Sequence, residues 1–252
     1  ILIAFAATLA WPALRGLQKF LVVMAVFVGS QWLVYERVDR LFNYPRWLSN
    51  PSFNVSMLAE QSLHLFIALA MLATLLLLKK KPADFYLVKG EINAPAQPIR
   101  WLGVKAGDRW RSFGTWLTVC ISLGALAFLI IAGRPSPDLI ARALPFLPVI
   151  LLAAALNAFY EELTYKAAFL SVLENPVGPG PALYMVAAFF GIAHFYGVPY
   201  GVAGVLLASF LGWILAKSMQ ETRSFFWAWF IHFWQDVWIF SFLAIGSITP
   251  GG

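Results

Sequence analysis

Charge is what this sequence has least of: 12% of its 252 residues are Asp, Glu, Lys or Arg, about half the usual share. Cysteine is nearly absent too. The single Cys120 permits no internal disulfide and says nothing about redox compartment. No series of roughly ten-residue segments alternates apolar with polar, which speaks against a membrane β-barrel. What is present is apolar: 61% of the residues are hydrophobic and 16% aromatic, with a mean hydropathy of +0.75. A water-soluble fold of this length could not hide so much apolar surface, so lipid is the solvent for much of it. Soluble enzymes, nucleic-acid-binding domains and disordered chains are thereby set aside. The net charge of +6 is no nucleic-acid footprint, because membrane loops collect Lys and Arg for topological reasons.

A helix needs about 20 residues to cross ~30 Å of hydrocarbon. Apolar stretches of about that length run over Leu17–Tyr35, Ser62–Leu78, Phe113–Ala132, Leu139–Leu173, Ala182–Pro199, Val202–Lys217 and Phe225–Ile245. The stretch Ile1–Leu14 reads as the tail of a further membrane helix whose start precedes Ile1. The expected architecture is all-α and polytopic, with seven to eight transmembrane helices forming a single integral-membrane domain over residues 1–252. Leu139–Leu173 is too long for one straight crossing, and Pro145 and Pro148 predict a bend near its start. Glu36–Gln61, with Pro45 and Pro51, reads as an interfacial loop or surface helix. Residues 79–111 carry eight basic side chains against three acidic ones, which places that loop in the cytoplasm. Counting crossings from there puts Arg15, Lys19, Lys217 and Arg223 on the same side, whereas Arg37, Arg40 and Arg46 fall on the other.

Ionisable residues are confined to particular spans. The first half offers Lys19 at one mouth and His64 near the start of its span, the latter read as a satisfied interfacial histidine. In residues 139–245, by contrast, Glu161, Glu162 and Lys166 share one span, His194 lies in the next, and His232 and Asp236 lie in the last. A charge at the bilayer centre costs about 2.5–3.5 kcal/mol on insertion scales, so such residues usually face a cavity and perform chemistry or transport. Residues four apart share a helix face, so Glu162 can pair with Lys166 and His232 with Asp236. Glu161 and Glu162 point about 100° apart. The simplest division makes Glu162–Lys166 a structural ion pair and leaves Glu161 facing the cavity, with Asn157 on the same face one turn earlier.

That kit holds a carboxylate and two imidazoles but no nucleophile tied to a base. A carboxylate withdrawn from water suits the task of taking a proton from a water molecule, and an imidazole can donate to the oxyanion of an attacked carbonyl. Peptide hydrolysis within the membrane is the reaction inferred. Two His and one carboxylate (Glu161, His194, His232) would also make a zinc set, but no HExxH-type signature occurs, and the metal-free reading is favoured. The residues alone leave other roles open. Glu161 could pin two helices, the histidines could be interhelical polar glue, and Asp236 could merely orient His232. Two further functions stay in play: a proton-coupled transporter, and a non-catalytic binding or immunity protein.

Glu161-Glu162-Leu-Thr-Tyr-Lys166 resembles the EExxxR motif of the CAAX prenyl protease and bacteriocin-processing family of glutamic-type intramembrane proteases. Phe190-Gly-Ile-Ala-His194 resembles its FxxxH motif, and His232-Phe-Trp-Gln-Asp236 its HxxxN/D motif. The likeness covers roughly Ala155–Phe240. It implies that Glu161 activates the water, His232 helps position it, and His194 with Asp236 stabilises the oxyanion. Glu162, Lys166, Asn157 and Phe190 would support them. It implies as substrate a membrane-embedded or lipid-anchored protein, prenylated or bearing a C-terminal sorting segment, and as location a bacterial or archaeal inner membrane. Lys166 stands where the motif has Arg; an ammonium can pair with Glu162 but lacks the planar fork for bidentate contact.

Overall fold

The computed structural model describes residues 1–38, 52–197 and 200–248. It is helical, with ten α-helices among the described residues: α1 (Leu2–Ala10), α2 (Gln18–Trp32), α3 (Phe53–Leu77), α4 (Trp110–Gly133), α5 (Pro137–Ala143), α6 (Leu147–Glu161), α7 (Ala168–Val177), α8 (Pro179–Ala193), α9 (Val202–Thr222) and α10 (Phe226–Ser247). Two π-turns interrupt or extend them, at Leu33–Val38 after α2 and at Glu162–Ala167 between α6 and α7. Among the described residues six helical segments are long and apolar enough to cross a membrane, and the shorter apolar α8 accompanies them. This is the all-α polytopic architecture the hydropathy predicts.

Two expectations need correction. The helix expected from Ser62 begins nine residues earlier, at Phe53, so the end of the expected interfacial segment Glu36–Gln61 is transmembrane helix. The polar Asn54, Glu60 and Gln61 mask that extension in hydropathy, yet Gln61 is buried against the bundle. Glu36 and Arg37 belong to the π-turn, while Arg40, Pro45, Arg46 and Pro51 lie outside the described residues. The span expected over Ala182–Pro199 is helical only to Ala193, with a turn from His194; at 1.5 Å per residue such a helix reaches about 22 Å, short of a full crossing. α1 covers nine residues of the apolar stretch Ile1–Leu14.

The basic loop folds into a cap on the bundle. Phe85, Tyr86 and Trp110 are fully buried. The Trp110 indole donates to Glu221 Oε2 at 2.7 Å, the Trp227 indole donates to the Ile92 carbonyl at 2.7 Å, and the Glu91 amide donates to the Thr222 carbonyl at 2.8 Å. Lys80 Nζ reaches the Ser171 carbonyl at 2.5 Å, and burial together with nearby Lys19 holds its pKa below the usual lysine range. Arg223 lies 4.6 Å over the Tyr86 ring and pairs with Glu174. The cap, Lys19, Lys217 and Arg223 thus occupy one end of the bundle, the grouping that the charge distribution predicts.

The 41-residue segment Pro137–Val177 bends at a 3₁₀ turn, Leu144–Phe146, because Pro145 and Pro148 cannot continue the hydrogen-bond ladder. α8 leaves the capped end, where Gln220 Nε2 donates to the Pro179 carbonyl at 2.9 Å, and α9 returns to it. In lipid, helices associate by close packing and polar contacts rather than by the hydrophobic effect, so small residues mark the seams. A Cβ built on Gly191 would meet Ser209 Oγ at 1.8 Å and the Val205 carbonyl oxygen at 2.6 Å; one on Gly212 would meet Phe190 Cδ1 at 2.8 Å. These two glycines set the α8–α9 separation. Gly191→Ala is expected to destabilise the protein by about 1–3 kcal/mol through overpacking against backbone, read as a lowered thermal midpoint in detergent. A midpoint at or above wild type would show that the seam can open without penalty.

Candidate active site

The three motif helices converge. Glu161 closes α6, and at the next residue the helix widens into the π-turn Glu162–Ala167, a distortion that recurs at functional sites. Local chemistry explains the place. Thr164 Oγ1 bonds back to the Tyr160 carbonyl at 2.8 Å, competing with the regular ladder. Tyr160 and Tyr165, five residues apart, would point about 140° away from each other on an α-helix. The i→i+5 geometry of a π-turn brings them to one side, where both hydroxyls accept from the Gln31 amide of α2, at 2.9 and 3.2 Å.

Glu162 and Lys166 form the expected pair. Lys166 Nζ lies 2.8 Å from Glu162 Oε1 with both side chains at 0% exposure. The ammonium also sits 3.2 Å from the centroid of the Phe190 ring, a cation–π contact joining the first motif to the second. Glu162 Oε1 further accepts from His232 Nδ1 at 2.7 Å. That bond fixes the imidazole so that Nε2 points the other way, 3.5 Å from Glu161 Oε2 and 3.6 Å from Asp236 Oδ1. The adjacent glutamates therefore face the two nitrogens of one histidine.

His194 ends α8. Its Nδ1 lies 2.8 Å from the Phe190 carbonyl, where only an N–H can bond, so Nε2 again faces the site, 3.7 Å from Glu161 Oε2. Asn157 Nδ2 donates to Glu161 Oε1 at 3.2 Å and to Asp236 Oδ2 at 3.0 Å, one amide bridging carboxylates of α6 and α10. Glu161 Oε2 is buried and has no hydrogen-bond partner. His194 and His232 line a cavity of about 470 Å³ between α4, α8, α9 and α10, otherwise walled largely by apolar residues such as Ile121, Phe128, Leu207 and Leu211. All eight residues singled out from the sequence thus meet in one cluster. His194 is its most open member, at 28% side-chain exposure, against 16% for Glu161 and 4% for His232.

Ligands about 2.0–2.1 Å from a tetrahedral zinc stand about 3.3–3.4 Å apart, somewhat less than the 3.5 and 3.7 Å that separate Glu161 Oε2 from the two Nε2 atoms. As arranged, the donors stand a little wider than a tetrahedral zinc sets them, and among the described residues no group of three or more His, Cys, Asp or Glu side chains is placed to hold a metal ion.

A second polar cluster went unread in the sequence. His64 is not interfacial: it lies at the middle of α3, buried, and stacks on Tyr160 at 4.3 Å and 12°. Its Nε2 accepts from the Tyr35 hydroxyl at 2.7 Å and its Nδ1 faces Gln61 Oε1 at 3.4 Å. With Gln31 these residues brace the π-turn from α2 and α3. The available signal was three polar side chains, Gln31, Gln61 and His64, in otherwise apolar helices.

Fold and site define a class: an integral membrane protein enclosing a carboxylate–imidazole centre, with six membrane-length helices. Residues 143–238 match the family model described as Rce1-like, type II CAAX prenyl endopeptidase Rce1-like. The match takes in all three motifs and shows the resemblance they carry, over less than half of the chain. No curated protein and no solved structure matches the chain.

Removing Lys166 leaves a buried carboxylate without its counter-charge. Lys166→Met is expected to destabilise by about 3–5 kcal/mol, with much of the loss recovered in Lys166→Met/Glu162→Gln, both read by thermal unfolding in detergent. A single variant as stable as wild type would mean that the pair does not hold the site together. Gln31→Leu is expected to cost about 1–3 kcal/mol by stripping both tyrosine hydroxyls of their donor, measured in the same way.

Proposed function

We propose that this protein is an intramembrane endopeptidase in which Glu161 activates water against a peptide carbonyl of a membrane-associated protein. One observation carries the reading: the Nε2 atoms of His194 and His232, from separate helices, approach the same unpartnered oxygen, Glu161 Oε2, at 3.7 and 3.5 Å respectively. The two imidazoles that meet there also line the cavity, where a substrate carbonyl has room to approach. The match to a family of endopeptidases supports the same reaction.

In this mechanism a water beside Glu161 Oε2 gives that oxygen a proton as its own oxygen bonds to the substrate carbonyl carbon. His232 Nε2, held in place by the Nδ1 bond to Glu162, orients the water. Negative charge gathers on the former carbonyl oxygen. The intermediate collapses with cleavage of the C–N bond, and the proton held by Glu161 passes to the leaving nitrogen, so peptide and water become acid and amine. His194 serves the oxyanion. Its Nδ1–H is committed to the Phe190 carbonyl, so it donates from Nε2 in the form protonated at both nitrogens. Asp236 is held by Asn157 and keeps His232 oriented; as a carboxylate it accepts rather than donates. No metal enters these steps. The substrates proposed are prenylated or C-terminal sorting-signal proteins, and the basic cap is placed on the cytoplasmic side by the positive-inside rule.

Mass spectrometry of membrane-protein termini in cells carrying wild type or Glu161→Ala tests this reading. Specific termini are expected only with wild type, at equal protein levels; identical termini in both would overturn it. On a substrate so found, His194→Ala is expected to lower kcat by about 10²–10³ with little change in KM. Cleavage is expected to survive complete chelation of divalent metals, and its loss would reinstate a metal mechanism.

A further inference from the structure

Next to Asp236 on α10 stands Gln235, which the motifs leave unassigned. It lines the same cavity as His194 and His232. Its Oε1 is buried and without a hydrogen-bond partner. A buried amide oxygen without a donor is costly, and a donor that enters with the occupant satisfies it. Around it the walls are Ile121, Phe128, Leu207 and Leu211, with Gly124 and Gly204 keeping the lining low.

We propose that Gln235 binds the substrate backbone by accepting a peptide N–H beside the scissile bond, so that the site takes an apolar segment in extended rather than helical form. A helical segment has no N–H to offer, because each is spent on its own i−4 carbonyl. An unwound stretch passes its backbone along the cavity while its apolar side chains meet the walls. Chemically, the preferred substrate is an apolar membrane segment whose helix is locally broken by Gly, Pro, Asn or Ser near the cleaved bond. Gln235 touches substrate in this scheme but moves no proton.

This inference rests on the proteolytic reading, and the test separates the two. Full-length wild type, Glu161→Ala and Gln235→Met are compared in cells by the appearance rate of membrane-protein termini; Met matches the length of Gln and lacks the amide. Every Glu161-dependent terminus is expected to appear about tenfold more slowly with Gln235→Met, at unchanged protein level and thermal midpoint, and the loss is expected in KM once a substrate is purified. Glu161-dependent termini formed at the wild-type rate by Gln235→Met would overturn the role of Gln235 alone. If no terminus depends on Glu161, both readings fall. A second arm replaces the helix-breaking residues around one cleaved bond with Leu. Cleavage is expected to drop at least tenfold, and undiminished cleavage would overturn selection for an extended segment.

Discussion

A single ammonium group organises the polar interior. Lys166 is buried with no water to solvate it, and it finds stability in two partners, the Glu162 carboxylate and the face of Phe190. Each partner then fixes something else. Glu162 holds His232 by Nδ1, and Phe190 offers its carbonyl to His194. Both imidazoles are thereby turned to present Nε2 to Glu161. The motif's Arg would spread its charge over a planar fork; Lys supplies a point charge, which here meets one carboxylate oxygen and one aromatic face.

The scaffold keeps this group of charges from water and from one another. Among the three carboxylates, Asn157 bridges Glu161 and Asp236, while Glu162 is occupied by Lys166 and His232. Two buried carboxylate oxygens stay without a hydrogen-bond partner, Glu162 Oε2 and Glu161 Oε2, and it is Glu161 Oε2 that stands where both imidazoles converge. An unsatisfied buried oxygen is expensive, and such an expense in a folded protein calls for a reason such as binding or reaction. Gln235 shows the same signature one residue from Asp236.

Much of this was legible in the chain. The spans followed from apolar run length, and the pairing of Glu162 with Lys166 followed from a spacing of four. Asn157 was placed beside Glu161 by one turn of helix. Where hydropathy misled, the reason was polar residues facing protein instead of water. Asn54, Glu60 and Gln61 disguised the first turns of α3, and buried His64 passed for interfacial. The brace of Gln31, Tyr35 and His64 against Tyr160 lies on helices outside the matched stretch 143–238, and no local spacing links residues so far apart in the chain.

By itself the sequence determined the solvent, the helices and the identity of the charged residues, because insertion into lipid depends on composition along a single segment. Only tertiary structure decided which nitrogen of each histidine faces Glu161, since that choice depends on a carbonyl or carboxylate delivered by another turn or another helix. The π-turn belongs there too: its register is set by one glutamine on α2 that must reach two tyrosines at once, a demand no stretch of chain can place on itself.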